Sequence, residues 1–381
     1  MNESTTEGSY GVFAENASVD SIFNWTNNSN ETIKEDKPNS TTLFISAIYL
    51  TVVAFFAILG NITVLTIIFR DKKLRSKPHN HLLISLAICD LTVLFGGYPF
   101  TIISAYYGEW MFGDLGCTFS GYFTFFLSLT SMNILVAICV FRYIMICLPG
   151  KSFLLTSRFT MYVIFATFGY GLFWTSLPLL GWGSYAMEPF LVSCSLNWTK
   201  HDFSNLSYMV ATIFFCYVGH VSIMINCYRH ISRTVKRLAQ RDRERGRIVR
   251  EDEMLYRSKV ADDQQVTRMC FLVVVVFAGV WTPYALVSSV HIFYGNMPIY
   301  ITTFPTMFAK AGCMMNPLVY FLTNRAFRLK AFEMFGCSRM DNIVGVETPN
   351  GEVVRTFDKL SKDGVYLGQD KVVMEKSSTM F

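Results

Sequence analysis

The chain has 381 residues, of which 52% are hydrophobic and 16% are charged, with a net charge of +5 and a mean hydropathy of +0.34. Soluble domains carry about a quarter of their residues as Asp, Glu, Lys and Arg, so this composition excludes an ordinary soluble protein and predicts a polytopic membrane protein. The sequence shows no internal repeat, which argues against transporters built from inverted repeats.

Residues 1–42 form a polar, acidic segment that lacks the apolar core of a cleavable signal. Six N-x-S/T triplets in this segment begin at Asn2, Asn16, Asn24, Asn27, Asn30 and Asn39. Two further triplets begin at Asn197 and Asn205 in a later loop. Because such triplets are glycan acceptors on secreted surfaces, we expect an extracellular, glycosylated tail over residues 1–42.

Seven apolar stretches then occupy residues 43–323, and each is long enough to cross a bilayer. They cover about residues 43–69, 82–105, 117–147, 159–181, 206–226, 266–293 and 299–323. The basic loops at 70–77, 229–259 and 325–330 belong in the cytosol by the positive-inside rule. The sequence therefore predicts an all-α bundle of seven membrane helices in the cell membrane, with its amino terminus extracellular and its carboxy terminus cytosolic.

Polar residues in the first two spans predict a contact between helices. Asn61 follows Gly60 in span one, and Asp90 ends the segment LAICD in span two. A carboxylate at membrane depth is costly unless it is paired, so we expect Asp90 to face the interior and to share partners with Asn61 and Asn316. The cluster either holds the helices together, as polar residues often do in membranes, or takes part in a switch.

Span three runs from Cys117 to Arg142, about 37 Å of helix, so these two residues mark opposite membrane faces. Cys194 lies on the same outer side as Cys117, in an oxidising compartment, and we predict a disulfide between them. That link draws the loop across the mouth of the bundle, where Glu188 can face inward. Arg142 is either a positive anchor or half of a closable ion pair with Asp263, at the start of span six.

Spans five and six each carry one conspicuous residue. A lone buried histidine is more often a satisfied core residue than a ligand, so His220 is assigned no function. Pro283 removes an intrahelical hydrogen bond and predicts a kink in span six. Trp281 lies about 27 Å from Asp263 along the helix, at the depth of Lys310, and is either an aromatic floor beside that lysine or ordinary packing.

Span seven carries one ionisable side chain, Lys310, among apolar neighbours. A charge at that depth costs about 2.5–3.5 kcal/mol, and the distance of about 22 Å to the basic cluster at Arg325 is too long for snorkelling. A desolvated neutral amine is a nucleophile towards carbonyls, so Lys310 predicts Schiff-base chemistry. The alternative is a chance ion pair.

Residues beyond span seven are expected on the cytosolic side. Residues 324–337 predict a short amphipathic eighth helix on the lipid surface, and Cys337 at its end is a candidate for S-palmitoylation. Residues 338–381 are polar and predict a disordered, phosphorylatable tail. The Arg-rich loop before span six predicts a solvated helix extension or a protein-docking surface, with no role in nucleic-acid binding.

These residues resemble rhodopsin-type G-protein-coupled receptors, and opsins in particular, over about residues 43–337. The resemblance rests on Gly60-Asn61, LAICD with Asp90, Cys117 with Cys194, Arg142-Tyr143, WTPY at 281–284 and NPLVY at 316–320. The triplet FAK at 308–310, six residues before Asn316, separates opsins from other receptors of that class. The loop GLFW…PLLGWGSY resembles peropsins and neuropsins, and NRAFR is closer to ciliary-type opsins.

The resemblance implies a chromophore and a set of site residues. Lys310 matches the lysine that binds 11-cis or all-trans retinal, and the residues expected around retinal are Glu188, Trp281, Tyr284, Ser120 and Ser128. Residues expected to switch or to couple to a G protein are Arg142, Tyr143, Asp263, Tyr228, Asn316, Pro317, Tyr320, Asp90 and Asn61. The implied partners are a heterotrimeric G protein, with the Gi/Go/Gt group favoured, and then arrestin and a receptor kinase.

Departures from the family pattern carry expectations of their own. Ser120 stands where vertebrate visual opsins have a glutamate counterion, whereas Glu188 matches the second-loop glutamate of many invertebrate and non-visual opsins, which implies a bistable pigment. Phe141 replaces the usual acidic residue before Arg142, which implies raised dark signalling or weak coupling. His220 stands at a common proline and Phe168 at a common tryptophan, so the helices there are expected to differ locally.

Four functions fit the sequence. A light-activated receptor without enzymatic activity is the leading hypothesis, and a retinal photoisomerase resembling peropsin or the retinal-pigment-epithelium opsin is the alternative. A receptor for a diffusible ligand and a transporter that uses Lys310 as a charge relay are the others. Retinal binding separates the first two from the last two.

Overall fold

The computed structural model describes residues 38–245, 253–295 and 297–334, together with three short strands between residues 344 and 372. Within this part of the chain, six helices are long and apolar enough to cross a bilayer. Large apolar side chains on their outer faces are more than half exposed, for example Phe55, Phe165 and Phe293. Such an outer surface requires a lipid environment.

Spans one to three are Ser40–Arg70, Pro78–Gly96 continued by Tyr98–Tyr107, and Gly113–Cys147, with a one-turn helix at Lys72–Arg75. Span four is Ser157–Ser176, flanked by the 3₁₀ turns Pro149–Leu154 and Leu177–Leu180. Span five consists of Phe203–Thr212, a π-helical segment Ile213–Val218, and Gly219–Arg245. Span six is Glu253–Tyr294.

Span seven is divided into Ile299–Lys310 and Gly312–Thr323, which meet at Ala311, so neither half alone has the length of a spanning helix. At the break, the Met314 amide donates to the Ala311 carbonyl (3.0 Å), one residue short of the helical partner Lys310. The Tyr98 hydroxyl of span two donates to the Lys310 carbonyl instead. The seven segments together form the helical bundle that the sequence predicts.

Pro317 leaves a second carbonyl of span seven without its helical donor. Proline has no N–H, and the residue four positions earlier is Cys313. The Asn61 amide of span one donates to the Cys313 carbonyl at 3.2 Å and to the Ala57 carbonyl of its own helix at 2.9 Å. Asn61 therefore provides a hydrogen-bond donor to a carbonyl of a neighbouring span. Buried backbone polar groups need such partners in lipid, because no water is present there.

Gly60 lets span one approach Pro317. A Cβ atom built on Gly60 would lie 2.8 Å from Pro317 Cβ and 2.9 Å from Pro317 Cγ. Both distances are too short for carbon atoms in contact, and a proline ring has no rotamer that moves it away. The adjacent pair Gly60-Asn61 thus brings two helices together and bonds them.

The loop between spans four and five folds into a hairpin. Strands Tyr185–Met187 and Cys194–Leu196 pair antiparallel, with Met187 opposite Cys194. The predicted disulfide is confirmed: Cys117 and Cys194 are bonded, with their Cα atoms 5.3 Å apart. The disulfide fixes this hairpin to the outer end of span three.

Beyond span seven, Arg325–Met334 forms the expected short helix. Lys330 on this helix bonds to Asp71 after span one, and this hydrogen bond lowers the pKa of the Asp71 carboxyl. The sequence predicts no regular structure in residues 338–381, whereas the structure describes an antiparallel sheet there. Its strands are Val344–Glu347, Val353–Phe357 and Asp370–Val372. β-branched residues in the first two segments favour strands despite the polar composition.

We expect Gly60→Ala to destabilise the purified protein by about 1–3 kcal/mol, because the added methyl group meets the rigid ring of Pro317. Gly169→Ala is the matched control, since nothing lies within 4 Å of a Cβ atom at Gly169 in span four. That variant should melt at the wild-type temperature or slightly above it, because Ala favours helix over Gly. Thermal unfolding in detergent measures both, and equal melting temperatures would contradict the packing argument.

Candidate functional site

A buried amine and a buried carboxylate face each other beneath the hairpin. The Lys310 amine lies 3.9 Å from Glu188 Oε2 and donates to the Ser193 hydroxyl at 3.1 Å. The side chains of Lys310 and Glu188 are 13% and 3% exposed. Glu188 Oε2 has no hydrogen-bond partner among the described residues. A buried anionic oxygen without a donor is costly, so this site has unused capacity for a positively charged N–H.

The hairpin turn places Glu188. The Glu188 amide donates to the Ser193 carbonyl (2.8 Å), and the Leu191 amide donates to the Glu188 carbonyl (2.8 Å). Leu191 closes the turn in the left-handed region, at φ 61°, which is uncommon for a residue other than glycine. Cys194, three residues after Leu191, carries the disulfide. A covalently held turn therefore aims Glu188 into the bundle.

Lys310 occupies the last position of the outer half of span seven. Its carbonyl accepts the hydrogen bond from Tyr98, which is 3% exposed and also lies 3.8 Å from the Cys313 sulfur. The break at Ala311 thus lies directly behind the reactive residue. Its carbonyl is held by span two and its amine by the hairpin.

A cavity extends from the amine into the bundle, with an empty volume of about 1580 Å³ that includes space open to solvent. Trp281, Tyr284 and Ser128 line it, together with Glu188 and Lys310. The rings of Trp281 and Tyr284 meet edge to face, with centroids 6.3 Å apart. Such an apolar wall with few polar groups is typical of a site for a small hydrophobic ligand.

The expectation that Ser120 lines the cavity is wrong. Ser120 is buried but does not line the cavity, and Gly121 does so in its place. A helix turns by about 100° per residue, so adjacent residues face different directions. Sequence reasoning also missed Ser193 and Tyr98, because hydrogen bonds between distant segments leave no local pattern.

The polar residues between the helices form two separate hydrogen-bonded groups. One surrounds the Asp90 carboxylate, and the other joins Asn61 to two backbone carbonyls. Asp90 accepts hydrogen bonds from Asn316 Nδ2 (2.8 Å) and from the Ser131 hydroxyl (3.1 Å). The structure thus brings Asp90 and Asn316 together. Asn61 bonds to the Ala57 and Cys313 carbonyls, so it does not share the Asp90 carboxylate in the way the sequence suggested.

At the end of span three opposite the disulfide, Phe141 is buried and stacks on Phe159 of span four, with ring centroids 6.0 Å apart. The positive charge of Arg142 acts electrostatically on His79 in span two. The Tyr320 hydroxyl is buried and, among the described residues, has no hydrogen-bond partner.

Other predicted switch residues lie further out. The Tyr228 ring packs on Phe271 (5.2 Å), and the Tyr143 ring meets His230 edge to face (5.7 Å). Asp263 belongs to the helix of span six, but its side chain lies outside the described part of the chain. Its ion pair with Arg142 stays a prediction.

The glycosylation triplets differ in what the structure says of them. Asn205 is 3% exposed, donates to Asp202 at 2.6 Å and accepts from Ser184 at 2.8 Å. A buried and bonded amide has no room for a glycan, so Asn205 is removed from the predicted set. Asn39 caps span one, and Asn197 is partly exposed in the loop. The remaining triplets, at Asn2, Asn16, Asn24, Asn27 and Asn30, lie outside the described residues, as does Cys337.

The sequence assigns His220 no function, yet both of its ring nitrogens lie within hydrogen-bond distance of a partner. One ring nitrogen, Nδ1, lies 3.2 Å from the Phe215 carbonyl, and the other, Nε2, lies 2.5 Å from Asn133 Oδ1. The Phe215 carbonyl belongs to the π-helical segment of span five. The departure from the family's proline was the available signal. Span four, in contrast, is continuous across Phe168, so the second departure leaves the helix regular.

The known proteins that this chain is similar to belong to one family. The model of the 7 transmembrane receptor (rhodopsin family) matches residues 60–320. A protein named "Rhodopsin, G0-coupled" from Mizuhopecten yessoensis is 33% identical over 74% of this chain and 70% of its own length. "Visual pigment-like receptor peropsin" from Homo sapiens is 32% identical over 81% and 90%.

A crystal structure of squid rhodopsin superposes with a TM-score of 0.72 at 23% identity, covering 81% of this chain and 90% of that one, which supports the fold. "Opsin-5" from Homo sapiens is 31% identical over 72% of this chain and 77% of its own length. The family match spans more than half of the sequence. The chain belongs to the rhodopsin family of seven-transmembrane receptors and, within it, to the opsins.

Proposed function

We propose that this light-sensing receptor holds retinal as a Schiff base on Lys310, with Glu188 as the counterion. The observation that carries the proposal is the Glu188 carboxylate, buried 3.9 Å from the Lys310 amine with one oxygen lacking any hydrogen bond within the described chain. A protonated linkage on Lys310 would supply the missing positive N–H. A positive charge buried in the bundle needs a negative partner, which Glu188 provides.

The residues present fit retinal. When bound, retinal would supply an aldehyde that condenses with the amine, with release of water, and a polyene that responds to light. Lys310 would provide the nucleophile, Ser193 would hold its nitrogen in place, and Glu188 would balance the proton on it. Trp281 and Tyr284 form the aromatic wall of the cavity. The hairpin covers the Lys310 side chain, which is 13% exposed.

Signalling follows from a population shift. Light must change how strongly the ligand favours the inactive and active arrangements, since a ligand with equal affinity for both shifts nothing. The residues that would respond lie around Arg142, and they include Tyr320, whose buried hydroxyl has no hydrogen-bond partner among the described residues. A heterotrimeric G protein is the cytosolic partner, and the G0-coupled relative favours that class. Arrestin, a receptor kinase and membrane lipid are further partners.

The orientation is part of the proposal. Basic residues flank the cytosolic ends of the spans, and the disulfide lies at the opposite end of span three. Disulfides persist outside the reducing cytosol, so the amino terminus is extracellular and the carboxy terminus cytosolic.

A photoisomerase remains the second candidate. It is favoured by the peropsin relative, which this chain matches over 90% of its length, and by Phe141 beside Arg142. Light-dependent nucleotide exchange on a panel of G proteins, measured beside extraction of the retinal isomers, separates the two. Isomer turnover without exchange on any G protein would support the photoisomerase.

We expect borohydride reduction of the retinal-treated protein to leave a retinyl group on Lys310, identified by mass spectrometry of the digested chain. Lys310→Ala should carry no adduct and show no visible absorption, because it removes the nucleophile. Lys200→Ala is the control, since Lys200 is exposed and paired with Asp202 at the outer surface. An adduct retained in Lys310→Ala would overturn the proposal.

We expect Glu188→Gln to move the absorption of the retinal-bound protein from the visible towards the ultraviolet at neutral pH. The neutral amide cannot balance the proton on the linkage, so the unprotonated form prevails. Glu109→Gln, at an exposed position outside span two, should keep the wild-type spectrum. Identical spectra for Glu188→Gln and the wild type would exclude Glu188 as counterion. With Glu188 intact, alternating illumination should interconvert two visible-absorbing forms, as in a bistable pigment.

We expect Phe141→Glu to lower dark nucleotide exchange, because it places an additional carboxylate next to Arg142 in the sequence. A restraint of about 1 kcal/mol corresponds to about a fivefold change in the active population. Phe141→Leu is the control that keeps an apolar side chain and should resemble the wild type. Equal dark rates in all three proteins would contradict the restraint.

A further inference from the structure

Span five contains a π-helical segment, Ile213–Val218, that forms part of the cavity wall. Three of its residues, Ile213, Cys216 and Tyr217, line the cavity. Tyr217 also bonds to Thr282, the residue after Trp281 in span six. The conformation of this segment therefore decides where span five meets both the ligand and span six.

Side chains from two spans converge on one carbonyl of that segment. The Phe215 carbonyl lies 3.2 Å from His220 Nδ1 and accepts from the Tyr170 hydroxyl of span four at 3.4 Å. His220 lies five residues after Phe215, so its ring reaches back across the widened turn. A π turn inside an α-helix needs such compensation, and such turns often occur at functional sites.

The second ring nitrogen ties span five to span three. His220 Nε2 lies 2.5 Å from Asn133 Oδ1, and Asn133 Nδ2 donates to the Thr167 carbonyl of span four at 3.2 Å. Asn133 and His220 are 8% and 7% exposed. One imidazole thus connects three spans at a depth where each unpaired polar group is costly.

The Phe215 carbonyl can only accept, so the hydrogen bond at Nδ1 needs a hydrogen on that nitrogen. The Asn133 side-chain amide meets Nε2 on the other edge of the ring. The other titratable groups in the cluster are Tyr170 and the Cys216 thiol 3.9 Å from it.

We propose that His220 is a positioning residue for the retinal site, which clamps the π-helical wall of span five to spans three and four through Asn133 and the Phe215 carbonyl. The clamp fixes Cys216 and Tyr217 at the cavity and, through Tyr217 and Thr282, holds span five against the residues around Trp281. The role as a determinant of the retinal site rests on the proposed function, whereas the clamp itself is a property of the protein without ligand.

The ligand-free test follows the Cys216 thiol, which is 3% exposed in the clamped wall. We expect His220→Leu and Asn133→Leu each to raise the labelling rate of Cys216 by a small thiol reagent about tenfold, relative to Cys89 in span two, which is 1% exposed. Mass spectrometry of the digested protein resolves the two cysteines. Because general destabilisation exposes both thiols alike, an unchanged Cys216 to Cys89 ratio in both variants would overturn the clamp.

Two further variants sharpen the test. Ser222→Leu, at an exposed position on the same helix, should retain the wild-type labelling ratio. The double variant His220→Leu with Asn133→Leu should raise the ratio by less than the product of the two single effects, since each single variant already breaks the contact between His220 and Asn133. Single effects that multiply in full in the double variant would refute a direct bond.

The retinal-bound protein gives the functional readout. We expect His220→Leu to lose bound retinal after illumination about tenfold faster than the wild type, which corresponds to about 1.4 kcal/mol. Ser222→Leu should match the wild type. Equal rates in His220→Leu and the wild type would overturn the role at the retinal site, even if the thiol test supports the clamp. Failure of the wild type to form an adduct at all would refute the proposed function instead, and the thiol test would still decide the clamp.

Discussion

The structure depends on keeping one lysine amine and one carboxylate together inside an apolar bundle. Either group alone would be costly at that depth, and neighbouring elements hold both in place. Glu188 is held by a turn that the disulfide at Cys194 anchors, and Lys310 is held by a hydrogen bond to its carbonyl from Tyr98. The two groups are 3.9 Å apart, and one oxygen of the carboxylate has no hydrogen-bond partner among the described residues.

Three helix distortions in this bundle share one feature. At each of them, a side chain from a neighbouring span bonds to an affected carbonyl: Tyr98 at Lys310, Asn61 at Cys313 and Tyr170 at Phe215. In lipid no water can serve that purpose, so each distortion needs a protein donor. The result is that irregular turns, which give the bundle room to rearrange, are also the points where its helices are coupled.

The sequence predicts the spans, the disulfide and the pairing of Asp90 with Asn316, because hydropathy, compartment and the cost of a buried charge each act locally or on few residues. It predicts an inward-facing Glu188 from the tethered loop, and a counterion role for Glu188 only through the family resemblance. The break at Ala311, the hydrogen bond from Ser193 and the inward turn of Gly121 in place of Ser120 depend on how helices rotate and pack. Tertiary contacts of that kind leave no periodic signal in a single chain.

Phe141 and His220, two departures from the family pattern, each put one kind of restraint in place of another. Phe141 replaces an ionic restraint by an aromatic stack on Phe159, which depends on contact area and not on protonation. His220 stands at the family's proline and bonds to the Phe215 carbonyl of its own span and to Asn133 of span three. Proline would leave the Asn133 oxygen without this partner. The chain thus has an aromatic contact beside Arg142 and hydrogen bonds at the cavity wall, at two levels where the family pattern predicts an acidic residue and a proline.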